Sequence, residues 1–487
     1  MNPTEYASFD AIGLAELIAK KKVSIPEVTA AARAANDAIN PTINAVIEVY
    51  EDRFERPEAE LGNGPFRGVP FLTKDVSAHF GGRKFEYGSR LCEGRVAPRD
   101  DYYAEMIKAS GVNLVGRSNT PEFSMALCAD NLLYGATSNP WRKGYSTSGS
   151  SGGAAAAVAA GIVPIAHGSD MGGSIRGPAA WCGTIGLQPS RGRVSTGPDA
   201  DESGWGMAQS FAMTKSMRDT AAMLDCLSIP QPGDPFVIRG ATGRYTDYLR
   251  GPGRKLRIGY SAKPLMDAPV DPEIAQAVHA AAKALADFGH EVEEAAPAID
   301  LVAIDRACVH VWYFQFDEWL DELGAEVGRK VGPDTVERAS LAFYHFARKQ
   351  TSAQFFKALE DFNRFRRDIG RFFVKYDAWL SPTTAQVADR NGVYGMNIDV
   401  PPEEFLVHEQ RPCQFMIAYN VTGQPAISLP LALHSNGLPI GVQLGARPGE
   451  EHLLVGLGSE LEQAMPWAGR IPPLHVSMRE RAAALIS

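Results

Sequence analysis

Residues 146–176 read Ser-Thr-Ser-Gly-Ser-Ser-Gly-Gly-Ala-Ala-Ala-Ala-Val-Ala-Ala-Gly-Ile-Val-Pro-Ile-Ala-His-Gly-Ser-Asp-Met-Gly-Gly-Ser-Ile-Arg. Two glycine-serine clusters, 146–153 and 168–176, flank a run of small residues and the apolar stretch Ile162–His167. The small-residue run predicts a helix and the apolar stretch a strand. The clusters then lie where strands and helices of an α/β sheet meet, which plain Gly-Ser linkers do not do.

Outward from this stretch, residues 66–225 keep the same alternation. Short apolar runs at Val69–Thr73, Asn113–Gly116 and Thr184–Leu187 are separated by helical or Gly-rich segments. Towards the N-terminus, residues 9–60 read as helical. Ser24 and Glu27 form a capping box for a helix to about Ile39, with Asn40-Pro41 as its stop. Towards the C-terminus, Leu256–Tyr260 predicts a strand, and Asp271 opens an alanine-rich helix to Phe288 with Gly289 after it. Residues 300–375 are densely helical and aromatic, and Tyr376–Pro382 returns as a strand. Ala426–His434 and Leu438–Gly445 form a hairpin turning at Asn436-Gly437, and a last helix covers Glu450–Met465. No internal repeat or long linker divides the chain. We expect one large α/β domain: a helical segment 1–65, a core 66–225, a helix-rich insertion 226–404 and a return to the core at 405–487.

Composition narrows the function classes. The formal charge of −9 opposes nucleic acid as a partner, since phosphate binding needs clustered Lys and Arg. The one basic cluster, Lys20-Lys21-Lys22, ends an amphipathic stretch and reads as a solvated helix end. The six cysteines form no C-x-x-C pair, which removes the usual zinc and redox spacings. The first ten residues lack a signal-peptide pattern, and no apolar run approaches membrane-spanning length, so a cytoplasmic protein without membrane contact is expected.

The second cluster, Met171-Gly172-Gly173-Ser174, offers consecutive backbone N–H groups beside a hydroxyl, a nest suited to an oxyanion. A serine nucleophile needs a base. His167 is the nearest histidine, but at the end of a packed strand it reads first as a core residue. Lys74, at the end of the apolar run Gly68–Thr73, is the other candidate, because shielding from water would leave its amine neutral. Gly149-x-Ser151-x-Gly153 matches a nucleophile elbow, yet the polar stretch before it is no strand. Neither cluster continues into Gly-Lys-Ser/Thr, and Ser-x-x-Lys does not occur. The residues alone point to a serine hydrolase with an unusual base.

These same stretches resemble the amidase-signature family. The likeness includes Gly68-Val-Pro-Phe-Leu-Thr-Lys74-Asp75, Gly116-Arg-Ser-Asn-Thr-Pro-Glu122, Gly149–Gly153, Gly168–Arg176 and Gly186–Val194. It resumes at Asn420–Pro430 and Gly437–Gln443, so it spans most of the chain. The resemblance implies a single large mixed β-sheet covered by helices on both faces, with a helical insertion. It also implies a Ser-cis-Ser-Lys triad: Ser174 as nucleophile, Ser150 as bridge after a cis Gly149–Ser150 bond, and Lys74 as base. The oxyanion donors would be the backbone amides of Met171, Gly172, Gly173 and Ser174. Ser151, Asp170 and Arg176 would support the site, with Asn119 a further structural pin. No metal or organic cofactor is implied.

Two positions depart from the family pattern. Gln188 stands where relatives often carry Lys. Cys413 stands where glutamine-using amidotransferase subunits carry an acid, which demotes that alternative. Ala166–Gly168, Gly135–Trp141, Asn420–Pro430 and Pro466-Trp467 resemble amidases that act on oligomeric amides and related broad-specificity members. The expected activity is hydrolysis of apolar, aryl or oligomeric carboxamides, with carbamates and esters as alternatives on the same site. The expected partner is a small-molecule amide, and a homodimer is compatible with the sequence. Phe80, Met125, Cys128 and Trp181, next to catalytic motifs, are candidate pocket residues. The aromatic run Trp312-Tyr-Phe-x-Phe316-x-x-Trp319 reads first as a buried helix face and second as a substrate wall.

Overall fold

The computed structural model describes residues 1–200 and 202–478; residues 479–487 of the expected C-terminal segment lie outside the described residues. Eleven strands make one mixed sheet: β1 Val46–Val49, β2 Pro70–Lys74, β3 Asn113–Ser118, β4 Ile165–Asp170, β5 Ile185–Gln188, β6 Gln209–Thr214, β7 Arg257–Tyr260, β8 Glu291–Glu294, β9 Ala378–Pro382, β10 Ala426–Leu433 and β11 Pro439–Ala446. Their order is β1-β3-β2-β4-β6-β5-β10-β11-β9-β7-β8. β2 runs parallel to both β3 and β4, whereas β4 and β6 are antiparallel. Every residue of β2, β3, β4, β5, β6, β9 and β11 is buried. Burial of successive side chains, which point to opposite faces, means that both faces of the sheet are covered by helices.

Several elements depart from the sequence expectation for identifiable reasons. The capping box forms, with Ser24 N–H donating to Glu27 Oε2 at 2.8 Å. The helix then runs Ile25–Ile43, through Pro41, and ends at left-handed Asn44. Asn40 pins that exit, its Oδ1 accepting from the N–H groups of Ala45 and Val46 at 2.8 Å each. β4 lies three residues later than the apolar run. Its polar half, Gly168-Ser169-Asp170, pairs with Phe211, Ser210 and Gln209 of β6, so tertiary pairing outweighs side-chain polarity. β1 turns part of the 1–65 segment into sheet. β7, β8 and β9 join the same sheet, so only residues 301–375 of the expected 226–404 insertion are an uninterrupted helical excursion.

Two large cores result. One packs the N-terminal helices and the Gly152–Ala159, Met217–Leu227, Pro272–Asp287 and Glu451–Ala464 helices against the sheet. The other lies among the helices Leu301–Trp312, Phe316–Glu326, Arg338–Ala347, Ser352–Lys375 and Pro402–Cys413. Among the described residues no helix is long and apolar enough to cross a membrane.

Candidate active site

Parallel pairing of β2 with β4 brings two strand ends together at the two glycine-serine clusters. Lys74 is the last residue of β2, fully buried, and its Nζ donates to Ser150 Oγ at 2.7 Å and Ser169 Oγ at 2.9 Å. Burial pulls the Lys74 ammonium down to about 7, against a smaller opposing effect of Asp170. The Gly149–Ser150 peptide bond is cis. A Cβ on Gly149 would come within 2.0 Å of the Ala126 carbonyl oxygen and 2.4 Å of Cys128 N, so only glycine fits there.

Ser174 lies in the turn between β4 and the Arg176–Cys182 helix and is partly exposed, whereas Ser150 and Lys74 are sealed. Ser151 staples the two clusters together. Its N–H donates to Ser174 O at 3.1 Å, and its hydroxyl exchanges hydrogen bonds with the backbone of Ser169, both 3.2 Å. The Ser174 turn is therefore held to the Ser150 loop through backbone. Lys74 and Ser150 are joined directly, while the Ser174 hydroxyl forms no hydrogen bond among the described residues.

Asp170 shapes the turn. Its Oδ1 accepts from Gly173 N (2.7 Å), Asn420 Nδ2 (2.8 Å) and Arg176 Nη2 (3.0 Å); its Oδ2 accepts from Ile175 N (3.1 Å) and Arg176 Nε (3.0 Å). Burial alone would raise its pKa, but the Arg176 charge and these donors hold the carboxyl below the usual range. Arg176 spends its remaining donors on the Met416 carbonyl, Asn420 Oδ1 and Gln443 Oε1, tying the Ile417–Thr422 helix and β11 to the turn. Asn119 likewise pins the 129–137 loop, donating to the Gly135 carbonyl at 2.9 Å.

Some sequence expectations need correction. Gly173, expected as an oxyanion donor, has its N–H taken by Asp170 Oδ1. Phe80 is buried in the sheet core, and Trp181 is buried beside Tyr394 with its indole N–H on the Gln386 carbonyl at 3.2 Å. Cys128 borders Gly149 through its backbone while its thiol turns to the Asp130 carbonyl; Met125 stays partly exposed on the second core. The aromatic run divides: Tyr313 and Phe316 are buried, whereas Trp312, Phe314 and Trp319 are only partly so.

His167 is a core residue. Its Nδ1 accepts the backbone N–H of Lys74 at 3.2 Å and its ring packs 4.6 Å from Tyr103. Burial and the adjacent Lys74 keep the imidazole well below its usual pKa, hence neutral. Ser169, the second partner of Lys74, was not singled out from sequence, nor was Ser77, whose hydroxyl donates to Ser169 Oγ at 3.0 Å. A signal existed: His167 and Ser169 are two apart on a strand, so both face Lys74.

Comparisons with known proteins identify the family. The sequence profile of the amidase family matches residues 27–455. The chain is 36% identical to a 6-aminohexanoate-cyclic-dimer hydrolase of Paenarthrobacter ureafaciens, over 98% of each chain. It is 31% identical to an acylamidase of Rhodococcus erythropolis, over 94% of this chain and 96% of the relative. A solved 6-aminohexanoate cyclic dimer hydrolase complexed with substrate superposes with a TM-score of 0.91 at 35% identity, covering 96% of this chain and 99% of the other. With its eleven-stranded sheet and glycine-serine clusters at the strand ends, this chain belongs to the amidase family, the amidase-signature hydrolases of carbon–nitrogen bonds.

Proposed function

We propose that the protein hydrolyses apolar, aryl or oligomeric carboxamides through an acyl-enzyme on Ser174. The observation that carries this reading is the 2.7 Å contact between Ser150 Oγ and a buried Lys74 whose pKa lies near 7. A neutral Lys74 keeps an N–H on Ser169 and turns its lone pair to Ser150. Ser174 Oγ attacks the amide carbon while its proton passes through Ser150 to Lys74. The N–H groups of Met171, Gly172 and Ser174 take the developing oxyanion. The C–N bond then breaks, the proton returns through Ser150 to the leaving amine, and water cleaves the ester to a carboxylate. The relatives' names, a cyclic-dimer hydrolase and an acylamidase, support amides without a gripped charge. Six free cysteines, five of them buried, support a reducing compartment, the cytoplasm.

The test is amine release from anilides, aliphatic amides, cyclic and linear oligoamides, carbamates and glutamine, with wild type run beside Ser174→Ala. Turnover of apolar amides that disappears in the variant is the expected result. Turnover surviving in Ser174→Ala sinks the assignment, and glutamine as the sole substrate sinks the apolar reading.

A further inference from the structure

The loop that offers the oxyanion amides is covered residue by residue. Met171 packs under the Gly204-Trp205 turn, where a Cβ on Gly204 would come within 2.8 Å of Met171 Sδ. Gly173 is covered by Met416, whose Cε would lie 2.6 Å from a Cβ there. Gly172 is covered by Trp312, with Cη2 and Cζ2 of the indole each 2.8 Å from such a Cβ. Trp312 is the last residue of the Leu301–Trp312 helix, so the insertion meets this loop through its ring as well as through Met171, which packs on the insertion's core. Its edge lies flush on backbone two residues from Ser174, and the ring is still partly exposed.

The same edge carries an unmatched polar atom. Trp312 Nε1 is buried and has no hydrogen-bond acceptor among the described residues. A buried donor without an acceptor costs free energy, and tryptophan N–H groups usually find partners. The neighbouring rings are aromatic too: partly exposed Phe314 stacks on buried Phe355 at 4.2 Å, and Trp205 lies 4.7 Å from Phe355. An apolar chain attached to the scissile carbonyl would run past the partly exposed indole, with the buried, unpaired Nε1–H at its edge.

We propose that Trp312 determines substrate choice: its ring carries the apolar chain of the substrate, and its Nε1–H donates to a second carbonyl on that chain. The assignment rests on the acyl-enzyme reading above and deepens it. The favoured substrates are then diamides and oligoamides rather than amides of simple fatty acids. A pocket hydrogen bond of this kind discriminates because a substrate lacking the acceptor leaves the donor unpaired.

Two chromogenic probes separate the roles: hexanoyl 4-nitroanilide and N-acetyl-6-aminohexanoyl 4-nitroanilide, of which only the second carries another carbonyl. Trp312→Phe keeps an aromatic ring and removes the N–H. It should lower kcat/KM about tenfold on the second probe and less than twofold on the first. Trp312→Ala should lower both about tenfold or more; if it does not fold, Trp312→Phe decides the matter alone. Equal effects of Trp312→Phe on the two probes, or none, overturn the Trp312 assignment and leave the acyl-enzyme intact. A wild type inert on both probes, or active after Ser174→Ala, overturns the acyl-enzyme reading and this proposal with it.

Discussion

At the ends of β2 and β4 the buried side chains are polar and bonded to one another; among the 301–375 helices they are mostly apolar and aromatic. Lys74, Ser150, Ser151, Ser169, Asp170, Arg176, Asn420 and Gln443 are all sealed or nearly so, and each has named partners. In the insertion, Tyr313 stacks on Phe343 at 4.3 Å and Phe343 meets Phe405 at 5.0 Å edge-on. The difference lies in how each region tolerates change. A buried polar network fails when one member is lost, because its partner is left uncompensated. An apolar core accepts any residue of about the right volume.

Substitutions can break that contrast, and the largest effect is expected at Ser174, the proposed nucleophile. Ser174→Ala should reduce kcat at least 10³-fold, measured as amine release, with thermal stability kept. Asp170→Asn should cost roughly 3–5 kcal/mol by chemical denaturation, since it leaves the Arg176 guanidinium buried without its counter-charge. A stable Asp170→Asn protein would show that the corner is less specified than its geometry indicates.

The pH profile sharpens the comparison next. The base must be neutral, so kcat/KM should fall tenfold per unit below about pH 7, where Lys74 gains its proton. The sign for stability follows from the same depression. The folded chain releases this proton more readily than the unfolded one, so the Lys74 contribution rises with pH from about 7 towards about 10.4, the free lysine value. A limb that stays flat down to pH 5 would remove Lys74 as the base.

Ser169→Ala should lower kcat about tenfold with KM little changed, because it frees the Lys74 amine to turn from Ser150, and Ser169→Thr should restore most of it. The smallest effect is expected in the insertion. Phe343→Leu should cost less than about 1.5 kcal/mol and leave kcat within twofold. A large loss of activity there would mean that the aromatic core positions the catalytic loop as well as filling space.

The same contrast explains what could be read in advance. Ser150 and Ser174 stand in short glycine-rich patterns and Lys74 at the end of an apolar run, and close backbone approach leaves room only for glycine at Gly149. The hairpin at Gly437 and the capping box at Ser24 were legible for a similar reason: each is local, and each depends on one residue type. β1, β6 and β8 were missed, and β4 was placed three residues early. Their edges depend on partners such as β6 beside β4, which no local pattern contains.

Pocket residues were the least legible. Proximity in sequence to the glycine-serine motifs suggested Phe80 and Trp181, which are core, while Trp312, 138 residues beyond Ser174, sits on Gly172. Residue order was enough for the family and the α/β class, because short glycine-rich motifs and the alternation of strands with helices are local patterns. The hydrogen bond that takes the Gly173 N–H, the depth at which Lys74 is buried and the seat of Trp312 over Gly172 needed the folded chain. Each arises from contacts between segments far apart in sequence, and apolar packing leaves too weak a mark on any one residue to announce them.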